Sequence, residues 1–305
     1  MHIDKVEKIW MNGRLVDWDD AKIHVLTHAL HYGSGVFEGI RCYNTDKGPA
    51  VFRLREHMER LEDSAKTYMK TIPYTTDQLC KATKDLIKAI KLKECYIRPI
   101  VYRGYGEMGL NPLKSPVDVS IAAWEWGTYL GEDGLKNGIK AKISSFQRIS
   151  PNILPTEAKA TGQYLNSILA KLEAIDVGYD EAILLDNRGF ISEGPGENIF
   201  MVKNNVLYTP PQHASILLGV TRDTVMTIAK DLGYEVKETD ITRGTLYLTD
   251  EAFFTGTAAE ITPIRNIDGR EIGKPGPVTK KIQAKYFDAV HGKDKKYEKW
   301  LDYVV

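Results

Sequence analysis

The sequence predicts an α+β protein of two domains, and three observations carry that expectation. Its 305 residues are about twice the roughly 150 of an ordinary domain. Strand and helix signals are mixed without the regular alternation of a parallel βαβ sheet. A polar, glycine-rich stretch, Trp126-Gly127-Thr128-Tyr129-Leu130-Gly131-Glu132-Asp133-Gly134, interrupts the apolar pattern near the middle. The expected division is a small N-terminal α+β domain at 1–125, an interdomain loop at 126–135 and a large C-terminal α+β domain at 136–305.

In the first half, short strands are expected at Lys8 to Met11 and Ala50 to Phe52. A helix follows at Arg55 to Met69, where Met58, Leu61, Ala65 and Tyr68 recur on one face. A second helix begins after Thr75-Thr76, with Thr76 as cap and Leu79, Ala82, Leu86 and Ile90 inward. The β-branched and aromatic runs Cys95 to Tyr102 and Val117 to Trp124 read as strands, and Pro99 points to an edge position for the first of them.

The second half opens with a strand at Ile139 to Phe146 and a proline-containing loop. A helix from Gly162 to Asp176 then turns Leu165, Ile168, Leu169, Leu172 and Ile175 inward and stops at Gly178. Strands are expected at Ala182 to Leu185, Ile199 to Val202 and Ala252 to Thr255, and helices at Thr221 to Leu232 and Val278 to Val290.

Composition excludes several classes. Lys plus Arg and Asp plus Glu both number 41, and a net charge of zero is poorly suited to neutralising the phosphates of nucleic acid. No apolar run approaches the roughly 18 residues of a membrane span. The three cysteines, Cys42, Cys80 and Cys95, form no CxxC pair, and their odd number favours a reducing, cytoplasmic location. His28 and His31 share a possible helical face, but no third ligand is nearby, so no metal is expected.

Four constellations could carry chemistry. Leu217-Leu218-Gly219-Val220-Thr221-Arg222 runs into a helix start, whose unpaired N–H groups and partial positive charge suit a phosphate. Thr255-Gly256-Thr257-Ala258-Ala259-Glu260 is a small-residue turn after an apolar strand, also able to face an anion. Singly, each reads first as a plain cap or tight turn; together they bring a phosphorylated ligand into consideration. Lys159, among small residues in Pro155-Thr156-Glu157-Ala158-Lys159-Ala160-Thr161-Gly162, is a candidate nucleophile for a carbonyl, and Glu193 is a loop carboxylate. Tyr32-Gly33-Ser34-Gly35 lacks both the dinucleotide and the Walker spacing.

Over nearly its whole length the chain resembles the branched-chain amino acid aminotransferases, class IV enzymes dependent on pyridoxal 5′-phosphate (PLP). The resemblance rests on His28-Ala29-Leu30-His31-Tyr32-Gly33, Val36-Phe37-Glu38-Gly39-Ile40-Arg41, Tyr96-Ile97-Arg98-Pro99, Ala158-Lys159-Ala160 and Gly256-Thr257-Ala258-Ala259-Glu260-Ile261-Thr262-Pro263. It also includes a group signature spaced from Glu193 through Asn198, Leu207, Thr209, Leu217 and Gly219 to Arg222. Pro195 departs from it, standing where a small residue is usual.

The resemblance implies the fold type IV architecture of D-amino acid aminotransferase-like enzymes, with the active site between the domains. It makes Lys159 the covalent anchor of PLP and the proton shuttle, and Glu193 the partner of the pyridine nitrogen. Tyr164 would bond the phenolic oxygen, while Arg60, Leu217, Gly219, Val220, Thr221 and Thr257 would hold the remainder and its phosphate. Substrate would meet Tyr32, Phe37, Gly39, Tyr96, Tyr129 and the Ala258-Ala259 backbone, with Met108 and Leu110 arriving from a partner subunit on Gly104 to Pro112. Arg98 would take the distal carboxylate of glutamate. The implied reaction exchanges L-leucine, L-isoleucine or L-valine and 2-oxoglutarate for branched 2-oxo acids and L-glutamate, in a homodimer or a hexamer built from dimers. A D-amino acid aminotransferase or an aminodeoxychorismate lyase of the same fold is the alternative.

Overall fold

The computed structural model describes residues 3–304. In chain order, the first elements are β1 (Lys8–Met11), β2 (Arg14–Asp17), α1 (His28–Tyr32), β3 (Gly35–Phe37), β4 (Ile40–Thr45), β5 (Gly48–Phe52), α2 (Leu54–Thr67), α3 (Thr76–Ile90), β6 (Cys95–Arg103) and β7 (Val117–Trp124). Next come α4 (Glu132–Asn137), β8 (Ile139–Gln147), α5 (Tyr164–Asp176), β9 (Glu181–Leu185), β10 (Asn198–Lys203), β11 (Val206–Thr209), α6 (Val220–Asp231) and β12 (Val236–Glu238). The chain continues through α7 (Arg243–Tyr247), β13 (Glu251–Gly256), β14 (Glu260–Ile267), β15 (Arg270–Glu271), α8 (Pro277–Val290) and β16 (Leu301–Tyr303).

Two compact units result, one of residues 3–126, 158–162 and 289–304, the other of 127–157 and 163–288. The segment carrying Lys159 therefore groups with the first unit, away from the residues flanking it in sequence. Among the described residues no helix is long and apolar enough to cross a membrane.

The first unit is built on an antiparallel sheet ordered β16-β5-β4-β6-β7-β1-β2, with β3 also paired to β6. Helices α2 and α3 bury Met58, Leu61, Ala65, Leu79, Ala82 and Leu86 in a core with Ile97, Val101 and Ile121 of the sheet. The cap of α3 is Thr75 rather than Thr76. Its side chain accepts from the Gln78 N–H while Gln78 accepts from the Thr75 N–H, a capping box that needs Gln or Glu three residues after the cap.

Pro99 is not on an edge, because β6 lies between β4 and β7. The ladder with β3 covers Ile100 to Tyr102 and that with β4 covers Cys95 to Ile97, so Pro99 sits at the break between two partners. Its carbonyl accepts the Glu38 N–H at 2.9 Å there, and the donor it lacks falls in the same break.

The second unit holds a mixed sheet, β12-β11-β10-β13-β14-β8-β9, with β15 beside β14. Ile143, Ile183, Ile199, Phe254 and Ile264 form its core. Within the stretch read as a loop, Glu132–Asn137 makes the short helix α4.

The orientation of α5 also departs from expectation. Leu165, Ile168, Leu169, Leu172 and Ile175 are 47–69% exposed, and the buried side consists of Ser167, Ala170 and Ala174. Small residues let the helix approach the sheet closely, with Ala170 and Ala174 against Ala182 and Leu184. The helical period is present, but its apolar stripe faces away from this unit.

Candidate active site

The first unit holds Lys159 by its backbone. The Phe37 N–H donates to the Lys159 carbonyl at 3.0 Å, the Lys159 N–H donates to Ser64 Oγ at 3.0 Å, and Val36 bridges to Ala160. Thr161 Oγ1 donates to the Gly33 carbonyl at 2.8 Å. This backbone is fixed, so the half-buried side chain is the part left to work. Lys159 Nζ lies 5.2 Å from the centre of the Phe37 ring, and the Arg98 guanidinium lies 4.7 Å from the same centre.

Arg98 Nη2 donates to Tyr96 Oη at 3.1 Å, and its Nε is buried without a hydrogen-bond partner among the described residues. Tyr96 Oη occupies the space where a Cβ on Gly39 would stand, so Gly39 is required for this packing. Trp126, which the sequence did not single out, meets the Tyr96 ring edge-on at 4.3 Å. Lys159, Arg98, Phe37, Tyr96 and Gly39 are thus brought together.

Arg60 joins them through Glu38, the residue after Phe37. Its Nε and Nη2 reach the two Glu38 carboxylate oxygens at 2.6 and 2.8 Å, and His57 Nδ1 lies 2.8 Å from Oε2. Burial alone would raise the Glu38 pKa; the Arg60 charge and the bonds from His57 and Arg60 outweigh it and hold the carboxyl well below the usual range. His57 and Arg60 are three residues apart on α2, a spacing that places them on one face, and this was the overlooked sequence signal.

Tyr32, Met108 and Leu110 are exposed, Leu110 by 89%. Within the unit their loop is tied down by His28, whose Nε2 bonds the Gly109 carbonyl at 2.8 Å and whose ring lies 4.6 Å from that of Tyr32.

In the second unit, Glu193 is buried and bonded to Arg148 Nε at 2.8 Å, Asn198 Nδ2 at 3.0 Å and the Leu217 N–H at 3.0 Å. Asn198 also donates to the Leu217 carbonyl at 2.8 Å, and its Oδ1 fills the space a Cβ on Gly219 would need. Glu193, Leu217 and Gly219 are therefore one network at the start of α6. Asn198 was part of the sequence signature, whereas Arg148, far off in sequence, gave no signal.

Gly219 caps α6 without any side-chain hydrogen bond, and Val220 and Thr221 are buried in its first turn. The turn Thr257-Ala258-Ala259 joins β13 to β14, and Asn198 is the registered partner of Thr255 just before it. Half-buried Tyr164 opens α5, and Lys171 Nζ lies 5.6 Å from the centre of the half-buried Tyr129 ring.

These residues fit PLP on their own chemistry. A twelve-residue helix with glycine at its cap suits a phosphate dianion. A carboxylate fastened by arginine suits a protonated ring nitrogen, and a lysine and an arginine that share one aromatic ring suit a carbonyl and a carboxylate.

The pattern of the Amino-transferase class IV family matches residues 35–267. The branched-chain-amino-acid aminotransferase of Escherichia coli strain K12 is 51% identical over 307 aligned positions, covering all of this chain and 99% of that protein. The chain belongs to the class IV aminotransferases, in their branched-chain amino acid group. Against the crystal structure of the Escherichia coli enzyme the TM-score is 0.97, with 99% of this chain and 100% of that one covered. The fold is therefore the two-sheet α+β architecture of these enzymes, as the resemblance implied. The branched-chain amino acid aminotransferase of Thermobaculum terrenum, in its PLP form, superposes at a TM-score of 0.93, with 36% identity and 99% of both chains covered. A further branched-chain amino acid aminotransferase, complexed with N-(5′-phosphopyridoxyl)-L-glutamate, also superposes at 0.93, with 47% identity and 99% of both chains covered.

Proposed function

We infer that this chain catalyses reversible transamination between L-leucine, L-isoleucine or L-valine and 2-oxoglutarate, with PLP as cofactor. The observation that carries this reading is the placement of Lys159 and Arg98 over one aromatic ring, Phe37. A nucleophilic amine and a fixed guanidinium stand beside an apolar surface, as a substrate with either a hydrocarbon or a carboxylate tail requires. Full-length likeness to enzymes of this name, and the PLP form and phosphopyridoxyl-glutamate complex of two relatives, support the substrate class and the cofactor.

PLP, when bound, supplies the carbonyl that takes the amino group and the electron sink that weakens the substrate Cα–H bond. Lys159 Nζ would move the proton between the substrate Cα and C4′ of the cofactor. Glu193, braced by Arg148 and Asn198, holds a proton on the ring nitrogen, and Tyr164 donates to the phenolic oxygen. The N–H groups at the start of α6, with Thr257 and Arg60, hold the phosphate. Leu217 supplies backbone to the same surround. The Ala258-Ala259 backbone orients the α-carboxylate. Arg98 pairs with the distal carboxylate of glutamate, while Phe37, Tyr32, Tyr129 and Tyr96 receive the branched side chains.

We further propose a homodimer as the smallest working unit. Met108 at 45% exposure and Leu110 at 89% would be covered by a second copy, and the exposed apolar face of α5 offers surface for further assembly. A cytoplasmic location agrees with three free buried cysteines. Purified protein should convert L-valine with 2-oxoglutarate to L-glutamate; turnover of D-alanine but not L-valine would overturn the reading.

A further inference from the structure

We propose that Glu38 and His57 are positioning residues for phosphate recognition: they hold the Arg60 guanidinium in the orientation in which it reads a phosphate dianion. The inference rests on the proposed contact of Arg60 with the cofactor phosphate, and adds two residues to which that proposal gives no role.

Glu38 is completely buried between β3 and β4, and it grips Arg60 through both carboxylate oxygens. A two-point bond from Nε and Nη2 fixes the guanidinium plane, and with it the direction of Nη1. Arg60 is 16% exposed while its carboxylate partner is fully enclosed. One side of the pair is thus sealed in the core and the other reaches the surface of the unit.

His57 fixes Glu38 in turn. Its Nδ1 and the Gly39 N–H both bond Oε2, at 2.8 and 3.3 Å. An ionised carboxylate only accepts, so Nδ1 carries the proton. Burial, with Arg60 and Lys159 nearby, lowers the His57 pKa even against the pull of Glu38. His57 is therefore a neutral donor and adds no competing cation. An arginine whose rotamer is set before the ligand arrives loses less freedom on binding.

A buried ion pair that merely fastens α2 to the sheet would have the same contacts, so the test separates the two roles by ligand. Dissociation constants of the apoprotein are measured spectroscopically for PLP and for pyridoxal, which has the same ring and aldehyde without the phosphate. In E38Q and H57L the preference for PLP over pyridoxal should fall by about 10-fold, with pyridoxal affinity changed less than about 3-fold. H57N, whose amide keeps a donor near the Nδ1 position, should retain most of the preference, and this variant decides the matter if E38Q does not fold. Equal losses for both ligands, or a preference unchanged in E38Q and H57L, would overturn the inference. R60A distinguishes the two levels. A lost preference in R60A with an intact one in E38Q and H57L overturns the positioning role alone, whereas an unchanged preference in R60A overturns the phosphate contact itself.

Discussion

Glu38 in the first unit and Glu197 in the second are both buried glutamates, yet they are held in opposite charge states. Glu38 is gripped by Arg60 and His57 and stays ionised far below the usual carboxylate range. Glu197 accepts the Gly196 N–H at 3.0 Å, and burial, followed by the charge of Glu181, overrides that bond and pushes its pKa up to about 8. Burial alone does not decide whether an acid is charged; the partners do.

The difference extends to the surroundings of each. The first unit gathers Lys159, Arg60 and Arg98 around Phe37 and Glu38. The second gathers Glu181, Glu193 and Glu197, with Lys171 on Glu181 and Arg148 on Glu193. A neutral Glu197 spares Glu193 a further anion nearby, as the role proposed for Glu193 requires.

The contrast is broken most severely at the nucleophile. Lys159→Ala should lower turnover by about 10⁴-fold or more, because it removes the amine proposed to move the Cα proton. Glu193→Ala tests the proposed ring-nitrogen contact and should cost about 10²-fold to 10³-fold in kcat, with Glu193→Gln close behind, since an amide would not hold that nitrogen protonated. If Glu193→Ala were as active as the native chain, the role proposed for Glu193 would be wrong.

Arg98→Ala sharpens the comparison within the first unit. Turnover with glutamate should drop by about 30-fold or more while leucine changes by about 3-fold or less, because only glutamate brings a second carboxylate. Equal losses in steady-state kinetics on the two substrates would show that Arg98 serves another purpose.

The smallest effect tests Glu197 itself. Its pKa is raised from the ordinary 4.5 to about 8, so the folded state keeps a proton that the unfolded chain releases. Stability should fall as pH rises between those values and level off above them. Glu197→Gln cannot ionise and should lack this slope, melting about 3 °C or more above the native protein at pH 8.5 and close to it at pH 5. Parallel melting curves across that range would remove the neutral state from the account.

Much of this arrangement was legible in the sequence where local chemistry and motif coincide. Gly219 before a helical period and the small turn after β13 lie where their neighbours imply, whereas Lys159 groups with the first unit rather than with its sequence neighbours. Long-range partners were not legible: nothing local to Arg148 says that it braces Glu193, and nothing local to Pro99 says that two strands share its edge. The apolar stripe of α5 misled because periodicity reveals that a helix has two faces, not which one meets its own sheet. Ala170 and Ala174 win that place by their size, leaving the leucines outward.

The central claim is that Lys159 is the residue that holds PLP. Borohydride reduction of the holoenzyme followed by peptide mass analysis tests it directly. The account predicts a pyridoxyl adduct on the peptide containing Lys159 and none in Lys159→Ala. An adduct confined to another lysine, or no adduct in PLP-loaded native protein, would contradict it.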